Sequence, residues 1–81
     1  MSDNQSRRHA HQRTITITVD ELDDRTRAVA EMDWHDRKLV GIGRTRIGEE
    51  LPARAAENLS VARALSDLVA RLGTSASSAM R

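Results

Sequence analysis

Apolar and polar residues alternate strictly from Arg13 to Asp20, with Ile15, Ile17 and Val19 set between Thr14, Thr16 and Thr18. A period of two in β-branched residues predicts a half-buried strand over 13–20. The acidic cluster Asp20 to Asp24 is expected to end it and make the first loop. A second strand over 25–34 places Thr26, Ala28, Ala30, Met32 and Trp34 on one face and Arg25, Arg27, Glu31 and Asp33 on the other. A third is expected over 38–46, after the connection His35-Asp36-Arg37.

Two registers compete for the second hairpin. A three-residue loop sets Met32 opposite Val40 and Ala30 opposite Ile42, gathering the apolar residues on one face. A two-residue loop sets Glu31 opposite Val40 and Val29 opposite Ile42, which mixes the faces. Apolar matching selects the first. It turns Gly41 and Gly43 outward, where they read either as a twisted edge or as a flat platform for another chain.

After a connection over 47–56 that holds Pro52, the spacing predicts a helix over 58–72, with Asn58 as N-cap and Gly73 as C-cap. Val61, Leu65, Leu68 and Leu72, flanked by Ala62 and Val69, make one apolar stripe. Arg63, Asp67 and Arg71 form a ladder on the opposite side, expected to face solvent. The pattern amounts to an α+β domain over 13–73, a three-stranded antiparallel sheet followed by one amphipathic helix packed on one face. Residues 1–12 read as a disordered tail and 74–81 as a frayed one.

Composition narrows the picture. The 81 residues include one Trp, no Phe and no Tyr. Aromatics supply much of the area in small cores, so this core must be built from Ile, Val, Leu, Ala and Met, with Trp34 as a core filler. So thin a core favours burial against a second copy. With no Cys, disulfides and thiolate metal sites are excluded, which fits a cytoplasmic location. No apolar run is long enough to span a membrane, and residues 1–13 lack the apolar region of a signal peptide.

Net charge is +1, but unevenly placed. Asp20, Glu21, Asp23 and Asp24 concentrate negative charge, and the hairpin that follows carries Arg25, Arg27, Arg37, Lys38, Arg44 and Arg46 against Glu31, Asp33 and Asp36. These six basic residues are the candidate contact for RNA or a ribosome, since arginine presents a planar donor fork to phosphate. Catalysis has no support. Ser60 and Ser66 have no predicted histidine neighbour, the acidic loop is exposed, and His9-Ala-His11 lacks a third metal ligand. Neither an enzyme, a cofactor, a metal site nor a small-molecule substrate is expected.

Arg25-Thr-Arg-Ala28, Trp34, Leu39-Val-Gly-Ile-Gly43 and Leu59-Ser-Val-Ala-Arg-Ala-Leu-Ser-Asp-Leu68 together resemble an actinobacterial family of small proteins of uncharacterised function, described as having a double-stranded-RNA-binding-domain-like (dsRBD-like) fold and linked to stress and dormancy. The likeness covers about residues 13–72. It implies strands followed by a helix, a homodimer, and a likeness of that dimer to ribosome-hibernation factors. Relatives also carry an acidic, His-rich stretch past the helix, which the Ser- and Ala-rich 74–81 does not match. RNA readers of the dsRBD superfold use a basic helix start, whereas Glu57-Asn58-Leu59-Ser60 is not basic, and fold likeness alone transfers no function. Two functions stay open: a ribosome- or RNA-associated stress factor, and a homodimeric protein-interaction module without a nucleic-acid role.

Overall fold

The computed structural model describes residues 10–46 and 48–79, with side chains through Ser75. Strands β1 (Thr16–Leu22), β2 (Arg25–Trp34) and β3 (Arg37–Arg44) form an antiparallel sheet in the order β1-β2-β3, and helix α1 (Ala53–Ala79) packs on one face. The expected β-β-β-α architecture is the one observed. His9 and residues 80–81 lie outside the described residues; Ala10 to Gln12 have no regular structure.

The first turn is shorter than expected. Asp20, Glu21 and Leu22 belong to β1, paired with Arg27, Thr26 and Arg25. Only Asp23 and Asp24 turn, at φ 51° and 65°. Positive φ at both central residues matches the right-handed twist of the flanking strands, and aspartate tolerates that conformation better than most residues.

The second hairpin takes the register that apolar matching rejected. Its turn has two residues, His35 and Asp36, with His35 at φ 58°. Glu31 therefore pairs with Val40, Ala30 with Gly41, Val29 with Ile42 and Ala28 with Gly43. Gly41 and Gly43 point toward the helix and are buried; Val40 and Ile42 point to the open face. Close approach of the helix is the reason. A Cβ on Gly41 would lie 2.5 Å from the backbone nitrogen of Leu68 and nearer still to the Ala64 carbonyl. A Cβ on Gly43 would stand 2.7 Å from the Arg63 Cβ and press harder on the Ser60 carbonyl. No side chain fits at either position.

This contact has a regular spacing. Gly43 meets Ser60, and two residues back Gly41 meets Ala64 and Leu68. Four helical residues advance about 6 Å and two strand residues about 6.6 Å, so α1 runs antiparallel to β3 and stays in step with it. The buried helix face is Ala56, Ser60, Ala64 and Leu68, set against Ala28, Ala30 and Met32. The expected stripe is thus rotated: Leu68 is 3% exposed, Val61, Leu65 and Leu72 are half-buried, and Val69 is 66% exposed. Trp34 is half-buried, with the Arg13 guanidinium 4.6 Å over its ring.

The helix also outruns its expected ends. The Ala56 amide donates to the Pro52 carbonyl at 2.9 Å, so Pro52 rather than Asn58 sits at the start, where a missing N–H costs nothing. Gly73 lies inside the helix, which continues through Thr74 to Ala79. Nothing approaches a Cβ built on Gly73 within 4 Å. Replacing Gly43 by Ala should cost about 3 kcal/mol, because the atom in the way is helix backbone and cannot rotate aside. Gly73→Ala should instead stabilise by about 1 kcal/mol, and equilibrium denaturation of the two variants checks both signs.

Candidate binding surfaces

The sheet has two edges, and the helix treats them differently. In β3 the Thr45 amide bonds the Thr26 carbonyl, which fixes the parity of the strand: Gly41 and Gly43 direct their backbone groups to β2, and Ile42 and Arg44 direct theirs outward. Two of those outward groups are occupied. The Ile42 amide donates to Asp67 Oδ2 at 3.0 Å, and Arg63 Nη1 donates to the Arg44 carbonyl at 2.8 Å. The ladder expected to face solvent instead clasps this edge, and only its Arg71–Asp67 step at 3.4 Å is an exposed pair.

Arg63 is held in turn by Glu49, through paired contacts of 2.9 Å to both carboxylate oxygens. Glu49 also accepts the Arg46 amide at 2.6 Å. The Arg63 side chain and then that amide hold the Glu49 carboxyl down at about 2, while Glu49 raises Arg63. Asp67 is lowered as well, first by the Ile42 amide and then by the nearby Arg71 charge.

The β1 edge differs. By the same parity, Thr16, Thr18 and Asp20 direct their backbone groups to β2, while Ile15, Ile17 and Val19 direct theirs away from the sheet. Among the described residues no side chain bonds that edge. The helix covers β2 and β3 but barely touches β1. Ile15 and Ile17, on the helix side of the sheet, are therefore 43% and 41% exposed, while Val61 and Leu65 of α1 are partly buried against the core. Sequence periodicity marks each of these residues as apolar; it does not show that the helix would miss them.

The six basic residues do not form one patch. Arg25, Arg27 and Arg44 come together on the open face, with Arg27 between Asp20 of β1 and Arg44 of β3. With Leu22, Asp20 and Glu21 they line a shallow depression of about 590 Å³. Lys38 lies at the far end of that face, opposite Asp33. Arg37 is opposite Trp34, its Nη1 3.5 Å from Ser75 Oγ, and Arg46 follows the strand. The helix start is Ala53-Arg54-Ala55-Ala56, with no acid in its first turn, which corrects the start read at Glu57.

Among the described residues no three His, Cys, Asp or Glu side chains gather to hold a metal, and no helix is long and apolar enough to cross a membrane. His11 is exposed. Because the folded Glu49 carboxyl titrates below its ordinary value, its stabilising effect is complete above about pH 4.5 and is lost as pH falls toward 2. Glu49→Gln should lower stability near neutrality and flatten the acid side of the pH–stability profile over that window, read from denaturation midpoints.

The surfaces belong to a fold already seen. The family model described as Rv2632c-like matches residues 11–81. The uncharacterized protein Rv2632c of Mycobacterium tuberculosis is 42% identical over 60 residues, covering 72% of this chain and 64% of that protein. The uncharacterized protein Mb1767 of Mycobacterium bovis is 41% identical over 61 residues, covering 73% and 65%. This chain thus spans somewhat under two thirds of these curated relatives. The crystal structure of Rv2632c superimposes with a TM-score of 0.84 at 36% identity, covering 91% of this chain and 90% of that one. The chain belongs to the Rv2632c-like family.

Proposed function

We propose that the chain works as a homodimeric binding module rather than as an enzyme. One observation carries this reading: Asp67 and Arg63 bond the β3 edge at Ile42 and Arg44, while among the described residues no side chain bonds the β1 edge, which lies beside the exposed Ile15 and Ile17. An apolar, hydrogen-bonding edge of this kind is a liability unless something covers it. Among the described residues the core buries small residues, Met32 and Leu68, so a second copy would add the apolar burial that one chain lacks. Light scattering should give the mass of two chains at micromolar concentration. Ile17→Asp should keep the fold by circular dichroism and raise the dissociation constant by about 100-fold or more. A monomer in the unaltered protein overturns the reading.

A second reading, a ribosome- or RNA-associated factor acting in stress or dormancy as hibernation factors do, is supported by Arg25, Arg27 and Arg44. Arg27 and Arg44 are cross-strand neighbours, an arrangement that repels unless an anion joins it. The ion pairs among the described residues are Arg63–Glu49 and Arg71–Asp67, which leaves these three guanidinium groups available. On this reading the protein sediments with ribosomes at low salt and leaves them as salt rises. Arg27→Gln lowers the slope of log affinity against log salt by about 0.7–0.9. Absence from the ribosomal fractions of starved cells contradicts it.

A further inference from the structure

We propose that the other half of the β3 edge, at Lys38 and Val40, takes up a short acidic segment of a partner protein as an added antiparallel strand. The proposal goes beyond the dimeric reading and does not depend on it. By the parity that turns Ile42 and Arg44 outward, Lys38 and Val40 also direct their amides and carbonyls away from β2. Asp67 and Arg63 reach Ile42 and Arg44. Among the described residues no side chain bonds the backbone of Lys38 or Val40. A row that offers donors and acceptors in turn suits an extended chain, whereas a lone anion would use only the donors.

Charge selects which chain. Lys38, Val40 and the facing part of α1 line a shallow depression of about 420 Å³. Its polar lining is Arg37, Lys38, Arg71, Thr74 and Ser75, with no carboxylate among the described residues. The nearest acids are engaged elsewhere: Asp33 stands opposite Lys38 on the open face, and Asp67 accepts the Ile42 amide. Arg71 gives Asp67 only its Nε, at 3.4 Å, and Arg37 reaches Ser75 Oγ through Nη1 at 3.5 Å. Both guanidinium groups keep donors for a further carboxylate. At Ile42 the helix supplies its own acid to the edge; one turn on it presents Arg71 instead, and the acid has to come from outside.

Register then gives the pattern of the segment. A residue opposite Leu39 shares its face, the helix side, and points toward Arg37 and Arg71. Residues opposite Lys38 and Val40 turn to the open face, where Ile42 is 40% exposed. The segment therefore alternates, acidic toward the helix and apolar toward the open face. Residues 1–9 do not match it, since they set Asp3 against Arg7 and Arg8.

A labelled seven-residue peptide alternating valine and glutamate, titrated into the full chain, tests the proposal by fluorescence anisotropy and by amide chemical shifts. It should bind, with the largest shifts at Lys38 and Val40. Glutamine in place of glutamate should weaken binding about tenfold or more, and Arg71→Gln about fivefold with an unchanged circular dichroism spectrum. N-methylation of the valines, whose amides face the edge in antiparallel pairing, should abolish binding. N-methylation of the glutamates, whose amides face away, should change it by no more than about twofold. Shifts centred on β1, equal effects of the two methylations, or no binding at millimolar peptide overturn the proposal. None of these outcomes alters the mass expected of the dimer, so the two readings fail separately.

Discussion

The structure depends on the absence of two side chains. Gly41 and Gly43 let the backbone of α1 rest directly on β3, and neither position has room for a Cβ. Glycine weakens a strand through its conformational freedom, so its presence at both positions is offset by the contact it permits. Ala28 and Ala30 continue the small surface onto β2, and Ser60 and Ala64 supply the matching small face of the helix. Ser60 is fully buried and donates its hydroxyl to the Thr26 carbonyl at 3.1 Å, so even the polar member of the seam is satisfied. Such a seam is held by many short-range contacts instead of by large apolar side chains, which suits a chain with a single aromatic residue.

The position of the helix follows from that seam, and the candidate surfaces follow from the position of the helix. Drawn over β3, α1 brings Arg63 and Asp67 within reach of the β3 edge, and Glu49 steadies Arg63 from the preceding loop. The same displacement withdraws the helix from β1, leaving Ile15 and Ile17 exposed to 43% and 41% and the outer edge of the strand beyond the helix's reach. A helix centred over β2 would have stood in the same relation to both outer strands. The asymmetry is therefore a packing result with a functional consequence, and it is the feature from which self-association is argued.

Element order and the strand faces of β1 and β2 were legible because period-two alternation is a strong signal and both strands obey it. The third strand was misread through the same rule. Matching apolar residues favours placing Val40 and Ile42 inside, but a helix that seats on glycine inverts that preference and turns them out. The informative pattern was the pairing of glycines two apart on a strand with Ser60 and Ala64 four apart on a helix, whose rises agree. Helix ends failed for a related reason: Asn58 and Gly73 are good caps in isolation, yet Pro52 already starts the helix, and the alanines and serines beyond Gly73 continue it. Of the basic residues, Arg25, Arg27 and Arg44 could be grouped once the register was known. Charge counting alone could not separate them from Arg37, Lys38 and Arg46.

The central claim is that a glycine seam seats the helix over β2 and β3 and leaves β1 uncovered. Nuclear Overhauser contacts in solution test it most directly. The account predicts contacts from the Gly43 Hα protons to Ser60 and from the Gly41 Hα protons to Ala64, with none between the Ala64 methyl and Ile17. Contacts from Ala64 to Ile17, with the two glycines silent toward the helix, would contradict it.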